Sequence, residues 1–249
     1  MNARQVIFRL VKGEVTLTTI TIKEGLTITE IAQLLDRDGF FPAYDFIAAA
    51  LNTDLIRDFD GNAQDLEGYL FPETYRVHKG ITADEFVQIM VGTFKRNFNS
   101  DLIWRCRDIQ FTVREAIALA SLIEKETSVR EERFRISAVF HNRLRLKMRL
   151  DCDPTVIYAL MRENRYRGKL SWNDLKYDSP YNTRIFGGLP PGPICNPGLA
   201  SIEGALYPEN SKYLYFVSKD GREHYFSETL AEHNRAVRQF ILQKNVFGR

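Results

Sequence analysis

Two glutamates, Glu124 and Glu126, close an almost unbroken apolar run in "ALASLIEKETSVREE", residues 118 to 132, with only Lys125 between them. A carboxylic acid backed by Leu and Ile loses hydration in its charged form, so its pKa climbs from about 4.3 toward 6 or above. Part of it is then protonated at neutral pH, as a general acid requires. At about 100° per residue, Glu126 shares an arc with Leu119, Leu122 and Ile123, while Glu124 points nearly the opposite way, beside Ile117 and Ala120. The two cannot work as one close pair, and the arc favours Glu126 as the buried carboxyl. The competing reading is structural: surface residues of a last helical turn, or ion-pair partners of Lys125, Arg130 or Arg133.

The elements that must position these residues are legible in outline. Residues 5 to 10 and 14 to 22 are rich in β-branched side chains around Lys12-Gly13 and predict a hairpin or two neighbouring strands. Thr27-x-x-Glu30 is a capping box before "IAQLLDRDG", and "PAYDFIAAAL" predicts another short helix, giving a small β-plus-helix module. "DLEGYLFPETYRV" does not hold a helical period and reads as extended or turn-like. Residues 83 to 98 return to a helical pattern with Phe86, Ile89 and Phe94 among the apolar positions. Two successive helices follow at "TVREAIALASLIEKE" and "REERFRISAVFHNRLRLKM", the second restarted by a Ser128-x-x-Glu131 box. A third is predicted at "PTVIYALMREN", after Asp153-Pro154.

The long Tyr-, Asn-, Gly- and Pro-rich segment "YDSPYNTRIFGGLPPGPICNPG" exceeds the length of a plain connection, which marks it as functional. Ser201 is expected to cap a short helix, Asp220-Gly221 to turn a hairpin of aromatic strands, and residues 227 to 240 to form a closing helix.

With 249 residues, 44% of them hydrophobic, the chain can build one large domain or two modest ones. A formal net charge of +2 gives no global electrostatic reason to expect nucleic acid, and no nucleic-acid partner is expected. Cys106, Cys152 and Cys195 are too widely spaced for a disulfide framework or a C-x-x-C pair and are read as buried thiols. His78, His141, His224 and His233 lack close ligand spacing, so no metal and no other cofactor is expected. No apolar run approaches 18 residues, and the N-terminus has no signal-peptide pattern.

"LEGYLFPETY", "ASLIEKETSVREER", "VFHNRL", "DPTVIY", "GKL", "YNT", "GLPPGPICNPG" and "YLYFV" stand in this order along the chain. Together they resemble the endolytic murein transglycosylases of the YceG-like, or MltG, type, over roughly residues 20 to 240. The resemblance implies an α+β protein: a small LysM-like β/α module with its linker in residues 1–80, then a mixed helical catalytic domain in residues 81–249 ending in a β-hairpin and helix. It implies cleavage of peptidoglycan glycan strands between N-acetylmuramic acid and N-acetylglucosamine, leaving 1,6-anhydromuramic ends, at the outer face of the cytoplasmic membrane. Peptidoglycan synthases are the further partners it suggests. Family members usually carry an N-terminal transmembrane helix, absent from this sequence, so membrane association is expected only through an anchor outside this chain.

The resemblance places the catalytic glutamate in "EKET". Other lytic transglycosylases have a helix-borne Glu followed by Ser, which Glu126-Thr127 matches better than Glu124-Lys125. Glu126 is therefore the expected acid and base, with Glu124 the lesser choice. Candidates for holding the sugar are Thr127, Asp153, Thr155, Tyr158, Tyr181, Asn182, Thr183 and Asn196, whose amides, hydroxyls and rings suit N-acetyl groups, sugar hydroxyls and sugar faces. Asp153 has a capping role as its rival, Tyr158 a core role, and His224 and His233 could line the groove. The alternatives are a non-catalytic peptidoglycan-binding scaffold, or a hydrolase with Asp153 as second carboxylate.

Overall fold

The structure, a computed structural model, describes residues 17–242. Four of its helices open on the same device, a Thr whose hydroxyl accepts the N–H of a Glu three residues on while that Glu reaches back to the Thr N–H. These are α1 (Ile28–Arg37) after Thr27, α3 (Ala83–Asn97) after Thr82, α5 (Val113–Glu126) after Thr112 and α9 (Leu230–Val237) after Thr229. Between them lie α2 (Ala43–Ala49), α4 (Ser100–Asp108), α6 (Glu132–Arg145), α7 (Asp153–Arg162) and α8 (Leu199–Leu206). With two small antiparallel sheets the described architecture is α+β.

Strand β1 (Leu17–Thr21) pairs with β2 (Thr74–His78), Leu17 opposite His78 and Thr21 opposite Thr74, so the chain between them, which carries α1 and α2, begins and ends at one sheet. The expected partner at residues 5 to 10 lies outside the described residues. The second sheet is the predicted hairpin, β3 (Tyr215–Ser218) against β4 (His224–Ser227), with Gly221 at φ 92° in its turn.

Three local expectations are corrected. Helix α6 is capped by Glu131 without a side-chain bond, because Thr127 rather than Ser128 makes the turn: its Oγ1 accepts the Val129 N–H at 3.0 Å. Gly198, not Ser201, is the N-cap of α8, and Ser201 is buried inside the helix. Phe86 and Phe94 are buried as expected, but Ile89 is 40% exposed and Met90 takes the inner position beside it on α3. Helix α4 had no counterpart in the sequence reading.

The apolar core runs from Ile20, Ile31 and Phe46 through Phe86 and Phe94 to α5 and Ile202. Helix α5 is its axis: every residue from Ala116 to Ile123 is buried, and the helix packs against α4, α6, α7 and α8. An α-helix buried all round is apolar all round, and from Ala116 to Ile123 this one carries a single polar side chain, Ser121, whose hydroxyl donates to the Ala118 carbonyl. Its C-terminal carboxylates thus emerge where α6, α7 and α8 converge.

Candidate active site

Glu126 ends α5, and Thr127, its C-cap, leaves in extended conformation. Glu126 keeps an opening to solvent, yet its carboxyl is enclosed closely enough that desolvation lifts its pKa above the ordinary 4.5. Asp153 adds to the rise, while the Cys152 thiol, His224 and Arg143 oppose it. The Cys152 Sγ donates to Oε1 at 3.0 Å, and among the described residues no cation forms an ion pair with this carboxylate. A carboxyl held this way keeps its proton to higher pH than a solvated one, which suits it to give and take a proton.

Glu124, two residues earlier, has the opposite surroundings. Its Oε1 lies 3.4 Å from Arg133 Nη2 and its Oε2 accepts the Gly198 N–H at 3.1 Å, joining α5 to α6 and to the start of α8. Arg133 also reaches Glu24 at 3.6 Å. This is an occupied ion pair that fastens helices together, with little left for proton transfer.

Next to Thr127 stands a further acidic residue that no local motif singles out. Glu132, buried in the first turn of α6, accepts the His224 backbone N–H and the ring Nδ1–H, each at 2.7 Å, and the Thr127 hydroxyl at 3.4 Å. Glu132 and His224 are 92 residues apart, so no local spacing could announce them. Cys152 was likewise read only as a buried thiol, although it stands immediately before "DPTVIY".

The other candidates separate into three places. Thr127, Asp153 and His224 surround Glu126; Asp153 is exposed and paired with Arg184 at 2.6 Å. Thr155, Thr183, Asn182 and Asn196 are buried and bonded to the protein itself. Thr183 Oγ1 accepts the Cys152 N–H at 3.1 Å and bonds Thr155 Oγ1 at 3.0 Å, while Thr155 donates to the Cys152 carbonyl at 2.6 Å. Asn182 donates to Leu175 and Tyr177 carbonyls. Asn196 accepts from Gly68 and Leu70 and donates to Leu26 and Glu67, tying the long loop to the N-terminal part.

Tyr158 and Tyr181 lie elsewhere, with ring centroids 5.0 Å apart and the Arg162 guanidinium over both. Tyr158 lines a cavity of about 560 Å³ between α1, α2 and α7, together with Asp65, Glu67 and Arg162. Glu126 is not among its walls. Glu67 is buried there, accepting from Ile28 N–H, Asn196 and Tyr158, and desolvation pushes its pKa up to about 8. Among the described residues no cluster of His, Cys, Asp and Glu is placed to hold a metal ion.

The YceG-like family pattern matches residues 1–239. The endolytic murein transglycosylase of Bacillus subtilis (strain 168) is 34% identical over 244 residues, covering 91% of this chain and 66% of that protein. The protein of the same name in Streptococcus pneumoniae serotype 2 (strain D39) is 31% identical, covering 98% of this chain and 49% of its own length. The chain thus spans about half to two thirds of the length of these relatives. The crystal structure of a YceG-like protein from Listeria monocytogenes matches with a TM-score of 0.78 at 34% identity, over 94% of this chain and 81% of that one. Fold, motif order and sequence agree that the chain belongs to the YceG-like family.

Proposed function

We propose that this chain cuts peptidoglycan glycan strands internally between N-acetylmuramic acid and N-acetylglucosamine, as a lytic transglycosylase that leaves 1,6-anhydromuramic ends. The observation that carries the reading is the contrast at the end of α5: Glu124 is ion-paired with Arg133, whereas Glu126 is desolvated and, among the described residues, its carboxyl is held by a thiol alone. The relatives' name, endolytic murein transglycosylase, supports the substrate class.

One carboxyl suffices for this chemistry. Protonated Glu126 gives its proton to the glycosidic oxygen as the bond to C1 breaks, and an oxocarbenium-like centre develops. The muramic acid's own C6 hydroxyl then bonds to C1, and its proton returns to the Glu126 carboxylate. No water is consumed, the enzyme ends protonated as it began, and the intramolecular nucleophile supplies proximity. A hydrolase would instead use a second carboxylate to activate water; the nearest candidate, Asp153, is committed to Arg184 at 2.6 Å.

The setting that follows from this reading is the cell envelope, on nascent strands at the outer face of the cytoplasmic membrane, with peptidoglycan synthases as partners. Residues 1–80 would act as a LysM-like glycan-binding module and residues 81–249 as the catalytic domain. Among the described residues no helix is long and apolar enough to cross a membrane.

The test is mass spectrometry of products from uncrosslinked strands. The expected result is internal fragments with anhydro ends, lost in Glu126→Gln and retained in Glu124→Gln variants that remain folded. Reducing ends would mean that water attacks, and intact strands with the unaltered protein would point to a binding scaffold.

A further inference from the structure

We propose that Cys152 is a positioning residue for Glu126: by donating to Oε1, its thiol fixes the carboxyl and leaves the exchangeable proton on Oε2. The inference rests on the reading of Glu126 as acid and base.

The argument begins with geometry. Cys152 is 1% exposed and is the N-cap of α7, yet it makes no capping bond; its Sγ turns to Glu126 Oε1 at 3.0 Å instead. Its backbone is held at both ends, by Thr183 Oγ1 on the N–H and Thr155 Oγ1 on the carbonyl. Two buried threonines from different segments thus fix where this sulfur points. A thiol donating to one oxygen of a carboxylic acid leaves the acid's own proton on the other oxygen. Among the described hydrogen bonds none reaches Oε2, so that oxygen is the one free to exchange a proton with substrate.

The choice of sulfur matters as well. A thiol is a weak donor, so it orients the carboxyl while giving its ionised form little stabilisation. A hydroxyl in the same place would favour the carboxylate more strongly and reduce the fraction of acid available. The charged and titratable groups facing Glu126 are Asp153 from α7, His224 from β4 and Arg143 from α6. None of them makes a described hydrogen bond to its carboxyl, so the thiol is the only described contact that sets its orientation.

Two measurements test this. In the unaltered protein, the S–H stretching band should contain a component that shifts as Glu126 ionises and loses that pH dependence in Glu126→Gln. This readout needs no turnover, so it stands or falls separately from the proposed reaction. In pH–rate profiles, Cys152→Ser should move the alkaline limb down by about one pH unit, the difference between a weak donor and a hydroxyl bonded to a charged acceptor. Cys152→Ala should move it up and lower kcat more than it raises KM. An S–H band indifferent to pH, or Ser and Ala variants with the parent limb and only lower melting temperatures, would reduce Cys152 to packing and overturn the proposal.

Discussion

Glu132 grips His224 at two points, Oε1 accepting its backbone N–H and Oε2 its ring Nδ1–H, each at 2.7 Å. A carboxylate oxygen can only accept, so the neutral ring carries its proton on Nδ1 and keeps an acceptor at Nε2. When the ring is charged, its field lowers the pKa of Glu126. The bonds also decide where that field originates, because they link the start of β4 to the first turn of α6.

Replacing His224 by Gln removes the group whose charged form lowers the pKa of Glu126, so that pKa should rise. A rate that needs protonated Glu126 falls as pH rises through that pKa, so the alkaline limb should move to higher pH. Glu132→Gln keeps one acceptor oxygen and loses the other, so His224 is held at one point instead of two, and a misplaced group near reacting atoms costs up to about a hundredfold in turnover. Full pH–rate profiles of both variants check this: parental limbs and rates in both would detach the pair from the site.

The two glutamates of α5 should respond oppositely to neutralisation. Glu124→Gln leaves Arg133, itself 7% exposed, with Glu24 as its one carboxylate partner among the described residues, and breaking a buried pair costs about 3 to 5 kcal/mol. Glu126→Gln removes a desolvated carboxyl with no ion-pair partner among the described residues, so stability should be unchanged or higher. Urea unfolding of both variants at neutral pH measures the difference. Equal losses would mean that Glu126 is a structural charge like its neighbour.

Much of this arrangement was readable from the chain because it is local. The helical arc separates Glu126 from Glu124, and the Asp-Gly turn predicts the β3–β4 hairpin that carries His224. What the chain did not reveal is what depends on distant contacts. Asn196 looks like a ligand-binding amide in a Pro-rich loop, yet four bonds to segments more than 120 residues away consume its side chain. Nothing in "CNPG" encodes those partners. Likewise β1 found its partner more than 50 residues downstream, beyond the reach of turn signals. Cys152 was overlooked because a cysteine inside is usually inert packing.

Gly68 should not tolerate alanine. Its φ is +87°, and an added Cβ would lie 2.5 Å from Pro193 Cγ and 2.7 Å from Ile117 Cγ2. Neither neighbour can yield easily, one being a ring and the other a β-branched side chain of buried α5. Left-handed strain and overpacking together should destabilise Gly68→Ala by about 3 kcal/mol or more. Denaturant midpoints test this, and a loss below 1 kcal/mol, about the size of an ordinary substitution, would mean that the long loop can move away from α5.

Glu67 should make the fold lose stability as pH rises. Burial raises its pKa from 4.5 to about 8, so between those values the folded state binds a proton that the unfolded state has released. The unfolding free energy therefore falls across this window, by about 5 kcal/mol if the whole shift is expressed. The loss is complete only above the folded value. Glu67→Gln keeps an oxygen for the Ile28 N–H and the Asn196 amide, and its own NH2 can donate to Tyr158, so the contacts survive without the titration. Denaturation midpoints at pH 5 and pH 8.5 should converge in this variant relative to the unaltered protein. Midpoints that fall equally in both would assign the pH dependence to other groups and leave Glu67 ionised in the folded state.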